Sequence, residues 1–233
     1  MKCRKWIEAL GELFYPHLCV VCGNRLAEGE EVICTSCNIH LPRTNQYSCR
    51  NNEVEKMFWG KVHLERAASF FYYSKGSSYN RMIHLLKYRG KKELGESLGK
   101  MCARELQQMG FWEGIDLLIP VPLHKDREKK RGYNQSEYLA RGISELTGIP
   151  CCTGLVKRVV NTDTQIHQTV FERMENISGV FEWESHVAES LAGKHLLLID
   201  DVLTTGSTLL SCISALPGKD NIRVSIFTLC MAH

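Results

Sequence analysis

The chain has 233 residues, 44% hydrophobic and 24% charged, the balance of an ordinary globular protein with room for one large core and a small appended module. Its longest apolar runs fall far short of the roughly 20 residues a membrane helix needs, so insertion by such a helix is excluded. The net charge of +3 is small but unevenly placed: Arg81 to Arg104 holds seven Lys/Arg against two Glu, and Asn161 to Asp201 two against eight Asp/Glu. The first of these segments suits either a polyanion or a solvated helix face.

The N-terminal stretch "MKCRKWIEALGELFYPHL" starts basic, but Glu8 and Glu12 interrupt its apolar positions, which makes a poor signal peptide. Trp6, Leu10, Leu13 and Phe14 fall on one helical face instead. A cytoplasmic location is the resulting expectation. Cys19, Cys22, Cys34 and Cys37 form two Cys-x-x-Cys pairs around "GNRLAEGEEVI", which reads as a short turn-rich hairpin. Leu41 to about Lys61 turns polar and irregular and reads as a connection, giving a small module at 1–60 and a larger domain at 61–233. "AASFFYY" from Ala67 predicts a strand. "SYNRMIHLLKYRG" predicts a helix with Met82, Leu85 and Leu86 on one side, and "KKELGESLGKMCARELQQMG" a second closed by Gly110. "IDLLIPVP" predicts a buried strand stopped by prolines, "HKDREKKRGYN" a charged loop, and "QSEYLARGISELTG" a helix ending at Gly148. A strand in "TGLVKRVV" and a short helix near Glu172 to Asn176 follow. The strand "HLLLID", a helix from about Ser207 and the strand "RVSIFTLCMA" complete the chain. Strands apolar on both faces, alternating with helices, predict an α/β fold with a parallel sheet flanked by helices.

Eleven cysteines without an export signal argue against a disulfide scaffold. Two Cys-x-x-Cys turns supply four soft ligands for a tetrahedral Zn²⁺ and leave no open coordination position. Cys19, Cys22, Cys34 and Cys37 are therefore expected to hold structural zinc in a ribbon-like double knuckle. Gly23 follows the first pair, where a tight turn around a metal needs it. A redox site would need only one pair. His17 and His40 are near enough to replace a ligand, and otherwise read as surface residues. Cys49, Cys102, Cys151, Cys152, Cys212 and Cys230 have no comparable spacing and read as core or incidental.

Asp200 and Asp201 stand at the C-terminal end of a predicted strand, where ligands bind in an open parallel sheet. Thr204, Thr205, Gly206, Ser207 and Thr208 lead into the next helix, whose N-terminus favours phosphate. Carboxylates repel phosphate but accept hydrogen bonds from sugar hydroxyls beside it, so the pattern describes a grip on ribose 5-phosphate. Leu196 to Thr208 resembles throughout the phosphoribosyl pyrophosphate (PRPP) signature of type I phosphoribosyltransferases. That resemblance implies that Asp200 and Asp201 bind the ribose hydroxyls while Thr204 to Thr208 cradle the 5-phosphate. The departing pyrophosphate needs neutralising, and "PVPLHKDREKKRGYNQ" offers Lys125, Arg127, Lys129, Lys130 and Arg131. Catalysis would be mostly positioning and charge stabilisation, with Mg²⁺ joining pyrophosphate and ribose oxygens and the charged loop closing over the site.

"LLKYRG" from Leu85, "IPVPLH" from Ile119, "RGYNQSEYLA" from Arg131 and "TQIHQTVFERMENISGVF" from Thr164 follow one another in this order. With the cysteine pairs they look like the ComF family of competence-associated phosphoribosyltransferase-like proteins, over nearly the full chain. The family's Gln, Arg and Asn of the last motif match Gln165, Arg173 and Asn176, while Gln168 stands where an apolar residue is expected. Lys87, Arg89, Arg131 and Asn134 also fall in family motifs; capping and surface charge are their plainer reading. A complete glutamine amidophosphoribosyltransferase is not expected, because a glutaminase needs an exposed N-terminal nucleophile and its own domain. Two functions remain open: transfer of phosphoribosyl from PRPP to an acceptor the residues do not specify, or single-stranded DNA handling beside a competence helicase. In the second, PRPP or a nucleotide would act as a regulatory ligand.

Overall fold

The computed structural model describes residues 17–88, 91–160 and 179–232. The helix expected before residue 17, the one near Glu172 to Asn176, most of the last family motif and Arg89 lie outside the described residues. The central sheet has four parallel strands, β1 (Arg66–Tyr73), β2 (Leu117–Pro120), β5 (His195–Leu203) and β6 (Arg223–Ala232), in the spatial order β1-β6-β5-β2. A separate antiparallel ribbon pairs β3 (Val156–Arg158) with β4 (Phe181–Trp183). The helices are α1 (Thr35–Ile39), α2 (Glu53–Phe58), α3 (Asn80–Tyr88), α4 (Lys92–Gln107), α5 (Lys125–Arg131), α6 (Gln135–Thr147), α7 (Val187–Leu191) and α8 (Ser207–Ser214).

Alternation along β5 sorts its side chains to the two faces of the sheet. Leu197 and Ile199 enter one core with Phe71, Leu118, Phe227 and the buried sides of α3, α4 and α6. Leu196 and Leu198 enter the other, with Val54 and Phe58 of α2, Val187 of α7 and Leu209 and Ile213 of α8. The near-continuous apolar runs therefore mean what parallel strands buried on both faces require. Val20, Val21, Val32 and Ile33, from around the cysteine pairs, share the first core with α3 and α4.

Five expectations need correction. The charged stretch after β2 is a helix and not a loop. His124 Nδ1 accepts from Asp126 N–H at 3.3 Å, Asp126 and Glu128 occupy the first turn, and Lys129, Lys130 and Arg131 the last. That order of charge matches the helix dipole, and Gly132 ends the helix in the left-handed region. The segment from Leu41 to Lys61 is not irregular. It holds a short 3₁₀ turn and α2, fastened by buried Asn52, whose side chain caps Glu55 N–H and donates to Ala67 O. Between the cysteine pairs there are turns and no hairpin; a single bridge joins Leu18 to Arg25. Finally, α4 ends at Gln107, short of Gly110, and β5 runs on through both aspartates to Leu203. β4 and α7 are further elements that the pattern alone did not announce.

Candidate functional site

β5 carries Asp200 and Asp201 at the C-terminal end of the sheet, where residues at the ends of α3 and α6 reach them. Asp200 pairs with Thr228 of β6 in register. Its Oδ1 accepts from Ser136 Oγ at 2.9 Å and from the N–H of Asp201 at 2.9 Å. Ser136 is buried in the first turn of α6, which Asn134 begins by accepting from Ser136 N–H. Burial, and then the adjacent Asp201 charge, push the Asp200 carboxyl up from the usual 3.8 to about 7, against the pull of Ser136. Asp201 Oδ2 is buried and accepts no hydrogen bond, although Lys87 Nζ lies at ion-pair distance, 3.3 Å. The contact is electrostatic and badly aimed, so this oxygen keeps an acceptor direction for something else.

The loop after β5 brings the hydroxyl residues together. Gly206 caps α8 at φ +75, and a Cβ there would stand 3.0 Å from the Phe58 ring, so both conformation and space demand glycine. Thr205 Oγ1 and Ser207 Oγ are 2.7 Å apart, and the Ser207 N–H points to Thr205 Oγ1 at 3.4 Å. The first helical hydrogen bond runs from Leu210 N–H to Gly206 O at 2.9 Å, so the preceding amides lie ahead of the ladder. Thr204, Thr205 and Ser207 are exposed and Thr208 is half-buried. Exposed hydroxyls and a helix start follow directly on the carboxylates, an arrangement that suits an anion beside them.

Of the cationic residues expected here, the structure brings Lys87 to Asp201 and sets Arg131 close by. Arg131 Nη1 donates to Gln135 Oε1 at 2.9 Å, and its guanidinium lies over the Tyr88 ring, 5.7 Å from the centroid. Tyr133 lies within reach of Arg131 and Asp201 and donates to Leu86 O. Burial pushes its phenol up to about 12, with Asp201 adding and Arg131 opposing. Lys125 is exposed in the first turn of α5, and no described contact joins it to the aspartates; Arg127 is half-buried on the same helix. Ser136 is the polar partner that sequence reasoning missed. In the string "NQSEY" its hydroxyl reads as helix-start chemistry, and only the sheet packing aims it at Asp200.

The four paired cysteines do converge. Their Sγ atoms all lie within 4.8 Å of one another, and Cys22 Sγ is 3.8 Å from Cys34 Sγ. Metal–sulfur bonds of about 2.3 Å in a tetrahedron give an edge near that value. The Cys34 N–H points at Cys19 Sγ at 3.3 Å and the Asn24 N–H at Cys22 Sγ at 3.5 Å, donors suited to thiolates. Burial raises the Cys19 thiol, but backbone N–H groups of Cys22, Cys34 and Val21 outweigh it and bring it down to about 6. Burial and neighbouring thiols push Cys37 upward. Four cysteines this close can be thiolates together only around a cation, so the cluster can hold a metal ion. Neither His17 nor His40 belongs to it.

A family model described as the phosphoribosyl transferase domain matches residues 95–233. The chain therefore belongs to the phosphoribosyl transferase domain family, and its parallel sheet is the type I fold of that family. Within that class, the relatives carry competence and DNA names. The DNA utilization protein YhgH of Salmonella typhi is 29% identical over 64% of this chain and 65% of its own length, so the match spans just under two thirds of that relative. The competence protein ComFC of Bacillus subtilis is 27% identical over 91% of this chain and 83% of that protein. These names bear out the ComF resemblance. Among solved structures, the glutamine PRPP amidotransferase of B. subtilis, complexed with ADP and GMP, overlays with a TM-score of 0.41 at 20% identity. That overlay covers 63% of this chain and 30% of the other, a likeness too slight to carry any inference. No helix among the described residues is long and apolar enough to cross a membrane.

Proposed function

We propose that the chain binds PRPP across the end of β5 and transfers its phosphoribosyl group to an acceptor with release of pyrophosphate. One observation carries the reading: two adjacent half-buried carboxylates stand at the strand end just before a hydroxyl-lined helix start, with Lys87 against one of them. Asp200 and Asp201 accept from the ribose hydroxyls. Thr204, Thr205, Gly206, Ser207 and Thr208 take the 5-phosphate. Lys87 and Arg131 hold the pyrophosphate end, and Lys125, Arg127 and Arg89 complete its cationic surround as the ligand settles. Asp201 Oδ2, which accepts no hydrogen bond, and the carboxylate beside it fit Mg²⁺, a hard cation that prefers oxygen ligands. When bound, that ion neutralises the pyrophosphate. The chain's own part is to fix the sugar, screen the leaving charge and keep Asp200 oriented through Ser136. The cysteine cluster is read as structural zinc, since four thiolates close its coordination.

The test is a coupled assay for pyrophosphate release, with PRPP, Mg²⁺ and a panel of nucleobases, amines and nucleotides. Release with at least one acceptor, lost in Asp201→Asn, is expected. No release across the panel would remove the transferase part of the proposal. A second reading is favoured by the relatives' names and by the exposed Lys125, Lys129 and Lys130 of α5. Here the chain handles single-stranded DNA and PRPP regulates it. Anisotropy with a labelled oligonucleotide should then show affinity falling steeply with salt; indifference to salt would sink this reading.

A further inference from the structure

The helix α3 stands between the cysteine cluster and the carboxylate pair and touches both. Just before its N-terminus the Tyr79 hydroxyl donates to Cys37 O at 2.9 Å. At the second residue of the helix, the Arg81 guanidinium lies against the first knuckle: a Cβ on Gly23, itself at φ +80, would sit 2.5 Å from Arg81 Nη1. At the other end Lys87 Nζ is 3.3 Å from Asp201 Oδ2. From Arg81 to Lys87 the helix rises about 9 Å, short enough to act as a rod. Its buried face, Met82, Ile83, Leu85 and Leu86, packs in one core with Val20, Val21, Val32 and Ile33 of the knuckle segment. The Tyr79 ring rests beside Phe71 of β1, and Tyr133 OH holds Leu86 O. A close-packed rod of this kind transmits a shift at one end to the other.

We propose that Tyr79 and Arg81 are positioning residues, through which the metal-bound knuckles hold Lys87 over Asp201. Metal occupancy and occupancy of the carboxylate site are then linked. The mechanical link stands on the contacts of α3; its consequence for PRPP rests on the function proposed above. The knuckle loops are turns with little regular pairing, so the metal supplies much of their shape. Without it, the surfaces that seat Tyr79 and Arg81 lose definition and Lys87 is released. By linkage, a ligand that needs Lys87 in place binds the metal-loaded chain more tightly, and it tightens the metal by the same factor.

The test labels lysines of the folded full-length chain with an amine-reactive ester and reads each site by mass spectrometry. Zinc-loaded wild type, chelated wild type, and zinc-loaded Tyr79→Phe and Arg81→Ala are compared, with Lys157 and Lys219 as internal controls. Tyr79→Phe keeps the ring and deletes the hydroxyl, so it tests the link even if chelation loosens the whole chain. Lys87 should label about threefold faster or more in zinc-loaded Tyr79→Phe with the controls unchanged, and zinc retention against a chromophoric chelator should rise about fivefold with Mg²⁺ and PRPP in wild type but not in Lys87→Met. Equal labelling of Lys87 in wild type and both zinc-loaded variants overturns the proposal. So does PRPP binding that leaves zinc retention unchanged. If Lys87 responds to Tyr79→Phe and PRPP does not bind, the link stands and the PRPP reading fails.

Discussion

Asp200 is a buried acid held at a cost, and replacing it with asparagine measures that cost. Its folded carboxyl titrates at about 7 against an ordinary 3.8, burial being the main cause and Asp201 the second. An acid whose folded pKa is raised binds more protons folded than unfolded between those values. Stability is therefore lost as pH climbs from 3.8 toward 7, and the loss is complete above. The penalty is on the order of a few kcal/mol at pH 8 and clearly smaller at pH 5. Asn offers an oxygen to Ser136 Oγ and Asp201 N–H in place of Oδ1 and carries no charge. The expected result in urea unfolding, at fixed metal loading, is that Asp200→Asn gains on wild type by on the order of a few kcal/mol more at pH 8 than at pH 5. Any intrinsic cost of burying the amide is common to both pH values and drops out of that comparison. The same variant should bind PRPP poorly, a gain in stability set against a loss of function. A stability difference identical at pH 5 and pH 8 would refute the buried, charge-crowded account of Asp200.

Three further outcomes follow from the same geometry. Ser136→Ala removes a hydrogen bond that favours the ionised Asp200, so PRPP affinity should fall several-fold at pH 7 and recover toward pH 9 in calorimetric titrations. Gly206→Ala forces a side chain into the left-handed region and against Phe58, and should lower stability by about 1–2 kcal/mol or more while weakening phosphate capture. Cys37→Ser should release one equivalent of metal in a colorimetric assay and lower the melting temperature by several degrees.

The sheet was legible because each of its strands is a run of apolar residues closed by turn chemistry, as in "HLLLID" and "RVSIFTLCMA". The loop after β5 was legible because its conformation is local, and Gly206 with its hydroxyl neighbours is a contiguous string. The cysteine cluster was legible from spacing alone. The helix α5 was not, since lysines and arginines in number suggest a loop; its stability lies in the order of the charges and in the His124 and Gly132 ends. Asn52 and Ser136 were hidden for another reason. Their partners, Ala67 and Asp200, lie 15 and 64 positions away, and small polar side chains announce no long-range target. The badly aimed Lys87–Asp201 contact, on which the site's electrostatics turn, likewise arises only when α3 and β5 are brought together.

The central claim is that the two carboxylates and the loop after β5 form a PRPP site. A calorimetric titration of the zinc-loaded chain with PRPP, with and without Mg²⁺, tests it most directly. The account predicts saturable binding of one ligand per chain that requires Mg²⁺ and weakens at least about tenfold, some 1.4 kcal/mol, in Asp201→Asn. Absence of binding, or binding that Asp201→Asn leaves intact, would contradict it.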